Sequence, residues 1–250
     1  MSRLPCRWLP EPAAVHLANH EVHVWRAGLD VRADRTPALF AVLDPQEAER
    51  AQHCRLPRER MRFVAAHAAL RTVLARYTGL RPVGLRFGRT RRGRPYLLDA
   101  GDEWLDFSMS HSGATALIAV TRIERVGIDI EEINSSIDHK AMAHRFLASD
   151  DAYLIHRLAD EEGRRVFFTR WTWREAYAKA TDRPVPRVLD HLDLSTIPIG
   201  VGQLALWNLP VGRNACGTVA TARTADPPSC WTLMSVGVPG RPEQRADPDA

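Results

Sequence analysis

Six residues, Val126 to Glu131 (V-G-I-D-I-E), constrain this chain more than any other stretch. Val126, Ile128 and Ile130 alternate with Gly127, Asp129 and Glu131. Period-two alternation marks a half-buried strand, so the two carboxylates project from one face. Gly127, on that same face, leaves room for something to sit close to the backbone. Two carboxylates side by side repel unless a cation lies between them or one keeps its proton. A hard divalent ion with oxygen ligands, such as Mg²⁺, is the simplest answer. An edge strand bearing two solvated acids is the alternative that these six residues leave open.

The surrounding chain has ordinary globular make-up: 250 residues, 45% hydrophobic and 26% charged, enough for one large domain or two small ones. A net charge of +4 and a pI of about 9.1 suit phosphate-bearing partners in general. The bias is too small to single out nucleic acid, and the arginines are not interleaved with the aromatics that stacking on single strands requires. Lys140 and Lys179 are the only lysines, which makes each more informative than any one arginine. Cys6, Cys54, Cys216 and Cys230 are widely spaced with no C-x-x-C pair, against structural zinc and against a disulfide framework. No apolar run reaches the ~18–20 residues of a membrane span, and Met1 to Pro12 has no apolar signal region. The expectation is a cytoplasmic protein with reduced thiols and no nucleic-acid or membrane partner.

Residues 1–20 are broken by prolines and read as irregular. Glu21 to Trp25 alternates as a first strand. Asp44 followed by Pro45 is an N-cap with proline at the first helical position. A long helix is predicted over Pro57 to Tyr77, its apolar stripe carried by Phe63, Val64, Ala66, Leu70, Val73 and Leu74, with Gly79 ending it. Val83 to Phe87 and Tyr96 to Leu98 read as strands around an arginine-crowded turn, G-R-T-R-R-G-R-P (Gly88 to Pro95). Trp104 to Ser110 and Ala114 to Thr121 read as strands around His111, Ser112 and Gly113. Helices are then expected at Lys140 to Leu147, Asp150 to Leu158 and Arg165 to Ala180. Strands follow at Leu192 to Ile197, Gln203 to Leu209, Cys216 to Ala222 and Cys230 to Val236. Residues 239–250 are polar and proline-rich, a disordered tail by composition.

The last helix carries W-T-W-R-E-A-Y-A-K, Trp171 to Lys179. Glu175 and Lys179 share a helix face, which by itself describes a surface pair. Combined with the D-x-E strand, Glu175 offers a third carboxylate to the same ion, and Arg174 and Lys179 offer cations for phosphate beside it. Ser108 to Gly113 (S-M-S-H-S-G) reads as a tight polar turn suited to holding an anion.

F-S-M-S-H-S-G, V-G-I-D-I-E and W-x-x-R-E-A-x-x-K, in that order, resemble the three signatures of 4′-phosphopantetheinyl transferases of the Sfp type, and R-G-R-P resembles that family's G-K-P. The resemblance covers roughly residues 40–180. It implies an α+β fold of two tandem, pseudo-symmetric halves, each a small antiparallel sheet with a packed helix, and an active site in the cleft between them. Residues 1–124 would form the half that binds coenzyme A, and 125–238 the half carrying the metal motifs. The implied reaction moves the 4′-phosphopantetheine group of coenzyme A to a serine of an acyl or peptidyl carrier protein and releases 3′,5′-ADP. The carriers would serve fatty-acid, polyketide or nonribosomal-peptide synthesis. By position Asp129, Glu131 and Glu175 would hold Mg²⁺, with Mn²⁺ as a substitute. Lys179 would contact phosphate, and Glu175 or a water on the metal would take the serine proton. Arg50, Arg62, Arg94, Ser110 and His111 match positions that hold coenzyme A. Arginine stands at Arg50, Arg94 and Arg174 where the family usually has lysine, keeping the charge on a bulkier, forked group. Tandem halves supply the cleft within one chain, so a monomer is expected.

Three other readings stay open: a non-catalytic module that binds coenzyme A or a carrier protein, a Mg²⁺-dependent phosphohydrolase, and a basic nucleic-acid-binding protein. Modification of a carrier serine separates all of them from the transferase.

Overall fold

The chain pairs two layers of sheet, each backed by one 22-residue helix. It is described by a computed structural model that covers residues 6–98, 105–123, 125–183, 199–201, 204–234 and 236. The first part runs through β1 (Trp8–Pro10), β2 (Val22–Gly28), α1 (Thr36–Phe40), α2 (Pro45–Gln52), α3 (Pro57–Thr78), the hairpin β3 (Phe87–Arg89) and β4 (Pro95–Leu97), then β5 (Asp106–Ser112) and β6 (Thr115–Thr121). The second runs through β7 (Gly127–Glu132), α4 (His139–Phe146), α5 (Ser149–Arg157), α6 (Asp160–Thr181), β8 (Ile199–Val201), β9 (Leu204–Leu209), β10 (Ala215–Ala222) and β11 (Ser229–Thr232). The α+β class expected from the sequence holds.

One sheet has the order β1-β11-β2-β6-β5 and the other β7-β10-β9-β8. The period of two sorts their side chains. Trp25 and Ala27 of β2, and Ala116, Ile118 and Val120 of β6, face the core under α3. Val22, Val24, Leu117 and Ala119 point the other way and meet Val126, Ile128, Ile130 and Val219 of the second sheet in a shared core. The remaining face of the second sheet is covered by α6 through Trp173, Ala176 and Ala180. β2 and β6 are thus apolar on both faces because both faces are covered.

Long α3 begins with Pro57 at its first turn and ends on Gly79 at φ +69, in the left-handed region that suits glycine. Its buried face is rich in alanine (Ala65, Ala66, Ala68, Ala69), which lets it lie close on the sheet. Short α2 starts with a complete capping box: Asp44 Oδ1 accepts from Glu47 N at 2.8 Å, and Glu47 Oε2 from Asp44 N at 3.1 Å. The same two carboxylates receive the guanidinium of fully buried Arg71, Nη2 to Asp44 and Nε to Glu47, each at 2.6 Å. Arg71 Nη1 also donates to the carbonyls of Pro82 and Leu85. One α3 residue thereby fixes α2 and the 3-10 turn Pro82–Gly84.

Several expectations need correction. Residues 82–84 form that turn, and the strand predicted over Val83 to Phe87 starts only at Phe87, because Pro82 and Gly84 favour the turn. A short strand, β1, lies within the supposedly irregular residues 1–20. β11 does not stay with its neighbours in sequence. It pairs in parallel with β2 and β1 in the first sheet, so that sheet is not purely antiparallel. That return brings Cys230 beside Cys6. The two form a disulfide with Cα atoms 5.9 Å apart, within bonding reach, against the expectation of separate reduced thiols. Nothing in the cysteine spacing signals a contact made by chain ends 224 residues apart. The strand predicted over Leu192 to Ile197, Trp104 and the tail 239–250 lie outside the described residues. Among the described residues no helix is long and apolar enough to cross a membrane.

Candidate active site

The site begins where the edge strand of one sheet runs beside the edge strand of the other. Asp106, Ser108, Ser110 and Ser112 recur every second residue along β5, and each reaches β7 or the residue that enters it. Asp106 Oδ2 accepts from Val126 N at 2.8 Å and Ser108 Oγ from Ile128 N at 3.1 Å. Ser110 Oγ donates to Asp129 Oδ1 at 2.8 Å. Ser112 Oγ accepts from Glu132 N at 2.9 Å and donates to Glu131 Oε2 at 3.1 Å. Side chains therefore do the work that a backbone ladder does within each sheet. The strand expected to end at Ser110 runs on to Ser112, so S-M-S-H-S is strand throughout and the tight anion-holding turn also read there is not formed; the turn begins only at Gly113 (φ +54). Asp106 was not singled out from the sequence, and Ser108 and Ser112 were read only as parts of a polar turn, although the alternation was there to read.

Gly127 explains how the helix enters. A Cβ there would lie 1.9 Å from the carbonyl oxygen of Ala176 and 2.5 Å from the nitrogen of Ala180. The space left by the missing side chain is taken by the backbone of α6. Close approach at Gly127 puts the next two residues of that strand face, Asp129 and Glu131, beside Glu175 and Lys179.

Asp129 is the buried member. Its Oδ1 accepts from Ser110 and from Lys179 Nζ at 2.7 Å, while its buried Oδ2 has no hydrogen-bond partner among the described residues. Burial raises its pKa, against the pull of Lys179 and Ser110. Glu131 is also raised, first by burial and then by the Asp129 charge, with Glu175 adding to it. Glu175 is raised by burial and by Asp129, while Lys179 acts the other way. Three carboxylates that each disfavour the others' charge, one with an orphaned buried oxygen, form a donor set that fits a hard divalent cation. Among the described residues no three His, Cys, Asp or Glu side chains stand as a ready-made coordination cluster, and the cation on Asp129 here is the Lys179 ammonium.

Beside this cluster lies a cavity of about 1200 Å³ lined by residues of α2, α3, the β3–β4 turn, β5 and the end of α6. Ser110 and Lys179 belong to both its wall and the Asp129 contacts. Arg50, Arg94 and His111 line it as well, and so do Arg89, Arg92, Arg183, His67, Phe63 and Phe87, which the sequence reading did not list as site residues. Basic groups interleaved with flat apolar ones suit a ligand carrying both phosphates and a ring. Arg50 lies over the Phe63 ring at 5.4 Å. Burial and Lys179 hold the His111 imidazole below its usual pKa. Two of the expected residues stand elsewhere. Arg62 is paired with Asp30, Nε to Oδ1 at 2.7 Å and Nη2 to Oδ2 at 2.9 Å, and does not line the cavity. Arg174 is buried in α6 and does not line it either.

Comparison with known proteins bears on what this arrangement is. Residues 125–225 match the family described as the 4′-phosphopantetheinyl transferase superfamily, and residues 32–123 match 4′-phosphopantetheinyl transferase, N-terminal. The 4′-phosphopantetheinyl transferase HetI of Nostoc sp. is 33% identical over 231 residues, 90% of this chain and 97% of its own. The chain belongs to the 4′-phosphopantetheinyl transferase superfamily. A 4′-phosphopantetheinyl transferase of Bacillus subtilis is 27% identical over 179 residues, covering 71% of this chain and 76% of the relative. Both family matches fall on residues the site uses: Arg50 and Ser110 lie in the match over residues 32–123, and Asp129, Glu175 and Lys179 in the match over residues 125–225.

Proposed function

We propose that the protein transfers the 4′-phosphopantetheine group of coenzyme A to a serine hydroxyl of an acyl or peptidyl carrier protein, with Asp129, Glu131 and Glu175 holding Mg²⁺. The observation that carries this reading is the buried Oδ2 of Asp129, without a hydrogen-bond partner among the described residues, on a carboxylate whose charge is felt by Glu131 and Glu175 at the border of an arginine-lined cavity. In the reaction the serine oxygen bonds to the phosphorus next to pantetheine. The bond from that phosphorus to the bridging pyrophosphate oxygen breaks, its electron pair leaves with 3′,5′-ADP, and the serine proton passes to a base. A divalent cation supplies Lewis-acid stabilisation of the negative charge on the pyrophosphate.

The rest falls to the chain. Glu175, half-buried beside Asp129 and Lys179, is the carboxylate to which we assign the serine proton. Lys179 stands on the cavity wall within reach of Asp129 and brings a compact positive charge to the phosphates. Arg50 and His111 line the wall where the nucleotide end of coenzyme A would lie. The protein acts as a cytoplasmic monomer in this reading.

The test is the intact mass of an apo carrier protein after incubation with the protein, coenzyme A and Mg²⁺. The expected result is a gain of one phosphopantetheine on the carrier serine, abolished by chelator and restored by Mg²⁺ or Mn²⁺. Hydrolysis of coenzyme A with no mass gain on several unrelated carriers would point to a phosphohydrolase instead.

A further inference from the structure

Arg94 lines the cavity, yet its guanidinium is already engaged from four sides. Nη2 donates to Asp106 Oδ2 at 2.5 Å and to the carbonyls of Phe107 and Val126, both at 3.0 Å. Nη1 donates to the carbonyl of Lys179 at 2.5 Å. Those acceptors belong to β5, to the segment entering β7 and to the last turn of α6, while Arg94 itself sits in the β3–β4 turn. Arg94 and Asp106 are both about nine-tenths buried, at 10% and 9% side-chain exposure. Asp106 in turn accepts from Val126 N.

The end of α6 needs such partners. The last carbonyls of a helix have no intrahelical donor and carry the negative end of its dipole. α6 closes on Asp182 at φ +50, where a glycine would be free of strain. The same turn supplies a second grip, Arg92 Nη1 to the Asp182 carbonyl at 2.5 Å, and Arg125 meets the Asp182 carboxylate at 3.4 Å.

We propose that Arg94, paired with Asp106, is a positioning residue: it latches the C-terminal turn of α6 to the junction of the two sheets and so fixes Lys179. A lysine at this position would offer three donors on one atom in place of a fork. It could not reach acceptors on three elements at once. The part of the proposal that concerns transfer rests on the function proposed above; the latch does not.

The experiment uses the full chain with Arg94→Lys, Asp106→Asn and both together. It measures unfolding midpoint, coenzyme A binding by calorimetry and transfer kinetics on an apo carrier. Each single variant is expected to lower the midpoint by roughly 5–10 °C, as breaking a buried pair does in a chain of this size. The double variant should lie close to the worse single, because the two share one interaction. kcat should fall about tenfold or more, with coenzyme A affinity changed less than about threefold, a split in which each factor of ten reads as one step in barrier height. The proposal is overturned if Arg94→Lys keeps midpoint and kcat while Arg94→Ala weakens coenzyme A binding about tenfold, the signature of a direct phosphate contact. Additive midpoint losses overturn the pairing. Should Arg94→Lys fail to fold, Asp106→Asn decides, since an unchanged midpoint there is incompatible with the latch. If the wild type modifies no carrier, the proposed function fails, and the midpoints alone still settle the latch.

Discussion

Helices α3 and α6 are both 22 residues long, each covers the outer face of one sheet, and each ends on a left-handed residue. Their endings differ. α3 finishes on Gly79 with open space where a Cβ would go. Fully buried Arg71 sits well before that end and is spent on the α2 capping box. α6 finishes on Asp182, held from outside by Arg92 and Arg125, with Arg94 on the carbonyl of Lys179. In the last two turns before that end it presents Glu175 and Lys179 to a strand bearing two more carboxylates. A helix whose end brings no charge to the site can stop by local sequence. A helix that must deliver a charge to a fixed point is held there by partners from other elements.

The sharpest way to break that comparison is Glu175→Gln. Removing one group that stabilises charge in a transition state typically costs about 10²–10³ in rate, and a loss of that size is expected in the carrier mass assay. In chelator, the unfolding midpoint should stay level or rise, because Asp129 and Glu175 each disfavour the other's charge. A midpoint that drops along with activity would mean that Glu175 holds α6 in place rather than serving the site.

The mirror experiment on α3 is Arg71→Ala. It strands Glu47 and Asp44 and the carbonyls of Pro82 and Leu85. Leaving a buried charge without its partner costs about 3–5 kcal/mol, read by denaturant unfolding. Arg71→Lys should recover only part of it, since lysine lacks the fork.

How much of this was legible depended on the range of the contact. α3 and its glycine stop, α6 and the D-x-E strand were readable because a long periodic segment or a tight alternation carries its own signal. The α2 capping box was half readable, from Asp44 and Pro45. Contacts between distant residues had no local signature: Arg62 with Asp30, Cys230 with Cys6, and β11 beside β2. The serines of β5 were half read: their alternation is a strand signal, followed in the sequence as far as Ser110, while the polarity of Ser108 to Gly113 suggested an anion turn. The gap at Gly127 suggested that something lies close to the backbone there, and what fills it is a helix.

Gly127→Ala sharpens the point about α6. A Cβ placed 1.9 Å from the Ala176 carbonyl forces helix and strand apart. Overpacking of this kind costs about 1–3 kcal/mol, and the upper end is expected because the obstacle is backbone. Transfer should fall beyond what lost stability explains, since the displaced helix carries Glu175 and Lys179. Activity measured well below the unfolding midpoint separates the two effects.

Acid acts on the α3 side. His67 Nδ1 donates to the Phe63 carbonyl at 3.0 Å, and the ring lies near Arg50, Arg71 and His111. Burial, with those cations adding to it, lowers its pKa to about 4 from 6.5. The unfolded chain therefore takes up the proton first as pH falls. The stability contribution is full above about pH 6.5 and is lost progressively toward pH 4, with about 2 kcal/mol gone by pH 5 at 1.36 kcal/mol per unit. His67→Gln should flatten that part of the stability profile, and an unchanged slope would exclude His67 as its source.

The smallest expected effect is at the end of α3. Gly79→Ala places a Cβ in open space but at φ +69, so it meets no neighbour and suffers only the left-handed backbone cost of about 1–2 kcal/mol, the lower end being expected at an exposed helix end. Unfolding should shift by that amount while transfer at low temperature stays unchanged, because Gly79 lies outside the cavity wall. Set beside Gly127→Ala, the pair separates two uses of glycine: one supplies a backbone angle, the other a distance. If Gly79→Ala proved as damaging to transfer as Gly127→Ala, the end of α3 would have to be held as tightly as the end of α6, and the contrast between the two helices would fail.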